Sequence, residues 1–515
     1  MSADLYDLLT ERAFPVRWVD PTPADERPDA VSLRELFLRA HEISALAVSL
    51  PPALSGLYRV LYALTARVTG LDAPTGDWHE ARFGVLDAGS FDADGVHRYF
   101  AGVADRFRLY DPVHPFLQDP RLTTQCDKPA GINKLVTTRP SGSNHAWFEH
   151  TADARPIAVA SAQALEHLLV WRYYGPSGRC ATRTVGGMKE ANCVAGPLRT
   201  AVSYHPLGGT LFETLLAGLP EPDRVGRYVR EADPCPWERD EPTDPLTLKG
   251  VVTGPMSKLV GHNQHALLLV PDEAGAHAVD AYITWAYRER IARDDDYLIW
   301  QTSQAGNAYA RYADSRRGLW RDLDALLLSD PPGVESRRPK VFPTAVDLFE
   351  QEGLRIQALG IDQEGQAKDT QVVSATTAPV LHLMEERDPE QARLVGQLRL
   401  AGERCGQRLE RAAKMAWAQY SNSEVRDCAW SAAAAARYWP EAEREFWKRL
   451  NERCFDGAAQ AFRARAERIY DHLTDSAART ARGARARESA RIELYGGRPK
   501  KKASASKSLP DGGER

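Results

Sequence analysis

Three consecutive carboxylates, Asp294, Asp295 and Asp296, are the residues of this 515-residue sequence that most directly suggest chemistry: a divalent metal held for nuclease work. Consecutive side chains of an extended segment diverge, so such a run also reads as solvated loop charge. His114, within Asp111-Pro112-Val113-His114-Pro115-Phe116-Leu117-Gln118, has no metal-ligand partner at a suitable spacing and reads as a turn histidine beside a rigid proline. The seven cysteines, Cys126, Cys180, Cys193, Cys235, Cys405, Cys428 and Cys454, contain no Cys-x-x-Cys pair. They indicate buried reduced thiols, not a zinc ribbon or a disulfide framework. The glycines between Gly186 and Leu216 lack the P-loop spacing to Lys-Ser/Thr, and turns between core strands are expected there. No catalytic signature emerges, and neither a cofactor nor a metal is expected.

Two segments carry recognition chemistry instead. Leu359-Gly360-Ile361-Asp362-Gln363-Glu364-Gly365-Gln366-Ala367-Lys368-Asp369-Thr370-Gln371 has two glycines, three glutamines and little apolar content. Glycine permits the tight geometry of a projecting hairpin tip. A glutamine there presents a flat neutral amide that donates and accepts hydrogen bonds, and Lys368 beside it could hold a phosphate. A plain surface β-turn is the alternative. The second segment, Arg139-Pro140-Ser141-Gly142-Ser143-Asn144-His145-Ala146-Trp147-Phe148, is a small-residue loop ending in two aromatics. It suits base stacking, or an ordinary surface loop.

Composition narrows the classes. Hydrophobic content of 43% and charged content of 26% describe a soluble globular chain, and 515 residues exceed what one core serves. A net charge of −4 argues against a protein that coats nucleic acid unaided. Any such contact must be local. No apolar run is long enough to span a bilayer, and Asp4, Asp7 and Glu11 do not make a secretory signal, so a cytoplasmic location with no membrane partner is expected.

The elements that must position these segments divide into two grammars. The chain opens with a short β entry in the block Leu8–Arg17, then a helix launched by a capping box between Ser32 and Glu35 and carrying Leu33, Leu36, Phe37 and Ala40 on one face. A second helix is expected over Ala53–Val68. Mixed α and β text continues, with strands at Ala266–Val270 and Ala281–Tyr287 and an exposed, proline-rich excursion over Glu221–Glu241. After Pro379 glycine and proline become rare. Leu394, Leu398, Ala401, Cys405, Leu409, Ala412 and Ala416 recur at helical spacing. A second helix from about Glu424 to Arg437 should stop before Pro440. A third should carry Trp447, Leu450, Cys454, Ala458, Phe462 and Ile469, and a fourth should cover Thr474–Leu494. The fold class is therefore α+β: a mixed α/β domain over 1–375, a C-terminal four-helix bundle over 376–496, and a basic disordered tail over 497–515.

The opening phrase Leu8-Leu9-Thr10-Glu11-Arg12-Ala13-Phe14-Pro15-Val16-Arg17, the Ser32-Leu33-Arg34-Glu35-Leu36 phrase, His114-Pro115-Phe116-Leu117-Gln118, the glycine–glutamine loop and the terminal bundle together resemble the CasA family, the large subunit of the type I-E CRISPR surveillance complex Cascade. That resemblance implies a non-catalytic subunit that recognises the protospacer-adjacent motif (PAM) in double-stranded target DNA, wedges the duplex open to start R-loop formation, and recruits a nuclease-helicase. It implies as further partners the CRISPR guide RNA and the backbone, handle-binding and small subunits. By the same resemblance Gly365 and Gln366 form the DNA wedge with Lys368 on a phosphate, Gln363 being the fallback. Ala160 and Ser161 lie at the PAM-proximal loop through their backbone, without the family's glycine. No lysine occurs between Lys258 and Lys340, so Arg311 is the possible minor-groove residue. Ser143, Asn144, Trp147 and Phe148 match the element that contacts the RNA handle. The competing readings are a metal-dependent nuclease using Asp294–Asp296 and a generic helical scaffold.

Overall fold

Pro51 and Pro52 open a helix whose residues Pro52 through Arg67 are buried on every side, and Gly70 at φ +75 closes it. A helix buried around its whole circumference is a core element, and the helices Ser161–Tyr174 and Pro255–Val260 and the strand Arg355–Glu364 pack against it. The computed structural model describes residues 6–20, 27–73, 76–141, 151–222, 230–247, 254–261, 263–288, 295–331, 335–349, 353–364, 368–424 and 428–497. The chain divides into two units, Met1–Ala392 and Arg393–Arg515.

The first unit is mixed α/β. Phe14–Trp18 lies between Ala30–Val31 and Ile43–Leu46, antiparallel to both. Leu33, Leu36, Phe37 and Ala40 are buried, as their spacing requires. Only half of the expected capping box forms: Ser32 Oγ accepts from Glu35 N at 3.2 Å, while the Glu35 carboxylate turns to Arg39 at 3.1 Å. A second sheet orders Val159–Ala160, His277–Trp285 and His265–Pro271, all antiparallel. A third orders Lys368–Thr376, Arg355–Glu364 and Val202–Leu207.

Buried arginines tie distant segments together. Arg59, only 1% exposed, makes a bidentate pair with Asp295 (Nε–Oδ2 3.0 Å, Nη2–Oδ1 2.9 Å). Arg67 pairs with Asp72 and with Glu238 at 2.9 Å and donates to the Asp233 carbonyl at 2.7 Å. That arrangement corrects the expected exposed excursion over Glu221–Glu241: Asp233, Cys235 and Trp237 are buried. Asp233 also accepts from the amides of Met256 and Ser257 at 2.8 and 2.9 Å, at the start of the helix Pro255–Val260. The His114 segment is likewise structural. Asp111 accepts from the amides of Val113 and His114, Phe116 is buried, and Gln118 links the Leu109 carbonyl to the Leu269 amide.

The second unit is helical, with helices Pro389–Ser421 (which begins within the first unit), Ala429–Asn451, Ala458–Ala478 and Ala481–Arg491. Their number agrees with expectation but their boundaries do not. The second helix runs straight through Pro440, because its buried stripe Ala434, Tyr438, Ala442, Phe446, Leu450 continues at four-residue spacing across it. The carbonyl that Pro440 deprives of a donor belongs to Ala436, which is exposed, so water can satisfy it. Trp447 and Leu450 therefore belong to the second helix, and Cys454 is exposed in the following turn. The expected last helix is broken at Thr480, whose hydroxyl caps Gly483 N at 3.1 Å. A Cβ on Gly483 would lie 1.9 Å from the Ala477 carbonyl oxygen, so only glycine allows the two helices to meet there.

Candidate nucleic-acid interface

The strands Arg355–Glu364 and Lys368–Thr376 form a long antiparallel hairpin whose last pair is Glu364 with Lys368. Its inner strand is held by Val202–Leu207, and the outer strand is exposed along most of its length. Gly360 sits where a Cβ would lie 2.8 Å from the Ala201 carbonyl oxygen, so the inner strand can lie this close only with glycine there. A bulge between Asp362 and Gln363 shifts the register just before the end.

Three contacts fix that end. Asp362 accepts from the Ser315 amide at 2.8 Å and its hydroxyl at 2.7 Å. Burial would raise the Asp362 pKa, but these donors hold it below the usual carboxylate range. Asp369 forms an ion pair with buried Arg199, Nη2–Oδ1 2.6 Å, and accepts from Gln363 Nε2 at 2.8 Å. Lys368 is exposed, with its ammonium 3.5 Å from Glu364.

The neighbouring segment runs beside the hairpin base. Val202 N donates to the Arg311 carbonyl, and Ala313 N to the Thr200 carbonyl. Tyr312 is 61% exposed. The Arg316 side chain is 90% exposed, 3.4 Å from Asp314. Arg311 itself corrects the sequence expectation. Its side chain is only 12% exposed and is engaged by Asp322, which also accepts from Arg317 at 2.7 Å and Tyr204 at 2.8 Å. Burial would push the Asp322 pKa up, but Arg311 and Arg317 outweigh it and hold the carboxyl at about 2. A guanidinium committed to an ionised, buried carboxylate cannot enter a groove, so the exposed cation of this segment is Arg316.

Ala160 ends the strand Val159–Ala160 of the second sheet, and Ser161 begins the helix Ser161–Tyr174. Ala160 is exposed and paired with His277. The Ser161 hydroxyl is buried, bonded to Tyr110 at 2.7 Å and the Gly275 carbonyl at 3.0 Å, so only the Ala160 side of this turn is open. Gly365 and Gln366 of the wedge, and Ser143, Asn144, Trp147 and Phe148 of the handle loop, lie outside the described residues. Sequence reasoning missed Arg199, Ser315 and Arg316. Their local signals were the Gly-Pro-Leu-Arg turn ending at Arg199 and the Asp-Ser-Arg-Arg turn at 314–317.

The nuclease reading finds no support here. Asp294 lies outside the described residues, Asp295 is occupied by Arg59, and Asp296 stands 3.7 Å from Lys340. Among the described residues no group of three metal-ligating side chains is found. No described helix is long and apolar enough to cross a membrane.

The sequence matches the family model for CRISPR-associated protein Cse1 over residues 7–484. The chain belongs to the Cse1 family. This Cse1-family chain is 28% identical over 321 residues to the CRISPR-associated protein CasA/Cse1 of Thermus thermophilus, a match spanning 60% of the chain and 59% of the length of that curated relative. A chain of a solved CRISPR RNA-guided surveillance complex superposes with TM-score 0.86 at 39% identity, covering 95% of this chain and 99% of that one. A pre-nicking form of such a complex gives TM-score 0.78 at 38% identity, covering 95% and 98%. The Thermobifida fusca Cse1 structure, at TM-score 0.77 and 20% identity over 96% and 98% of the two chains, shares the fold. The Cse1 fold is thus the α+β arrangement described above, a mixed α/β region followed by C-terminal helices.

Proposed function

We propose that this chain is the non-catalytic large subunit of a CRISPR RNA-guided surveillance complex, and that it reads a PAM in duplex DNA and opens the duplex beside it. The observation that carries this reading is the hairpin Arg355–Thr376, anchored near its end by Arg199 and Ser315, with Gly365-Gln366-Ala367 as the link between its last paired residues. A rigid arm can deliver a neutral glutamine amide between bases. Lys368 and Arg316 supply phosphate contacts, which are salt-sensitive and sequence-blind. The turn at Ala160 approaches the PAM through its backbone.

The energetic demand is small. Opening one base-pair step costs about 1.4 kcal/mol of stacking, and guide pairing then offsets it. One wedge and a few phosphate contacts suffice for the first steps. In this reading the guide RNA handle lies at Ser143, Asn144, Trp147 and Phe148, the backbone, handle-binding and small subunits complete the complex, and a nuclease-helicase docks on the mixed domain.

The test is R-loop formation by the reconstituted complex carrying Gly365→Trp with Gln366→Ala. Complex assembly should persist while R-loop yield falls. Wild-type yield from that variant would remove the wedge assignment.

A further inference from the structure

Beneath the His114–Gln118 turn lies a cavity of about 110 Å³, walled by residues that include Arg106, Phe116, Arg121, Arg172, Trp237 and Arg239. Arg172 is its unusual member. The residue is only 5% exposed, yet it has no ion pair among the described residues. Its guanidinium donates to two neutral carbonyls, those of Leu117 (3.4 Å) and Val260, and its Nε has no hydrogen-bond partner. Burial lowers its pKa below the ordinary arginine value, opposed by the phenols of Tyr173 and Tyr287 rather than by a carboxylate. Every other buried arginine described above, from Arg59 to Arg311, has a carboxylate against it.

The surroundings deepen the imbalance. The carboxylate on the cavity wall, Asp119, is shared between Arg121 at 2.8 Å and fully buried Arg183 at 2.7 Å. The cavity wall thus carries four arginines, Arg106, Arg121, Arg172 and Arg239, and a single carboxylate residue. A buried charge without a partner costs several kcal/mol, so an excess of this kind calls for an anion. A water needs roughly 10–15 Å³ of such space, so the cavity has room for the few heavy atoms of a tetrahedral oxyanion. Arginine's planar fork suits phosphate in particular.

We propose that this cavity is a phosphate site, with Arg172 as its charged floor and the oxyanion replacing the missing carboxylate. Inorganic phosphate and the phosphate of a nucleotide share that chemistry. The site is independent of the hairpin, and its failure would leave the duplex-opening reading untouched.

The experiment titrates the purified full chain, held in chloride buffer, with inorganic phosphate, adenosine 5′-monophosphate and adenosine in separate calorimetric runs. Saturable binding of phosphate or the monophosphate, and none of adenosine, is expected. Arg172→Met should weaken that binding at least tenfold while the circular dichroism spectrum stays native. Should that variant fail to fold, Arg239→Gln on the cavity wall should weaken it several-fold. Tighter inorganic phosphate identifies the free ion as the occupant, and tighter monophosphate identifies a phosphate ester. Absence of saturable phosphate and monophosphate binding overturns the proposal. So do adenosine binding equal to that of the monophosphate, or affinity unchanged in a folded variant.

Discussion

Arg199 and Asp369 meet at 2.6 Å near the end of the hairpin, the arginine 2% exposed and the carboxylate 37% exposed. The pair joins the body of the first unit to the strand that leads out of the Gly365–Ala367 link. Because Asp369 also accepts from Gln363, one carboxylate holds both strands where they approach that link.

Asp369→Asn should therefore loosen the hairpin end without unfolding the unit. Removing one partner of a fully buried pair costs about 3–5 kcal/mol, and the exposure of Asp369 reduces this to about 1–2 kcal/mol. Urea melts give the loss. Amide hydrogen exchange should accelerate from Asp362 to Thr370 and stay unchanged in the Pro51–Thr69 helix. Protection unaltered at the hairpin would show that Arg199 does not anchor it.

Lys368→Ala and Arg316→Ala test the phosphate contacts. Each should weaken duplex binding by the assembled complex similarly for all sequences and lower the slope of log K against log salt by about 1. An unchanged slope in both variants would place the DNA elsewhere. Arg311→Ala should instead act on stability, since its guanidinium is spent on Asp322.

Asp322 gives the fold a pH dependence with a defined sign. Its folded pKa of about 2 lies below its ordinary value of 3.8, so the stabilisation is complete above pH 4 and is lost as pH falls from about 4 toward 2. The size is roughly 2 kcal/mol at neutral pH. Asp322→Asn should destabilise the first unit by about 3–5 kcal/mol at pH 7, because Arg311 and Arg317 lose their carboxylate, and should flatten the acid limb of stability. Urea melts of both proteins at pH 7 and pH 3 measure the two effects.

Gly360→Ala places a methyl 2.8 Å from the Ala201 carbonyl oxygen. The inner strand must shift, which costs about 1–3 kcal/mol. R-loop formation should drop with it, as the hairpin loses its seat on Val202–Leu207. A neutral thermal melt would mean that the strand can move at no cost.

Amino-acid order alone determined what depends on near neighbours. Helical spacing marked Leu33, Leu36, Phe37 and Ala40, all buried, and the stripe Leu394, Leu398, Ala401, Cys405, Leu409, Ala412 and Ala416, buried except at Leu394 and Ala401, which are half-buried. It also carried the phrases that resemble CasA, from Leu8 to the terminal helices. Tertiary structure decided what joins residues far apart. Arg59 finds Asp295 across 236 positions, and Arg199 finds Asp369 across 170. No local pattern encodes such partners, because packing of separate elements sets which carboxylate an arginine can reach. The same holds for Pro440, where solvent at Ala436 and a continuous buried stripe override a residue that by itself reads as a stop. Likewise Arg311 is basic in any sequence, but only the fold places Asp322 against it and leaves Arg316 in the open.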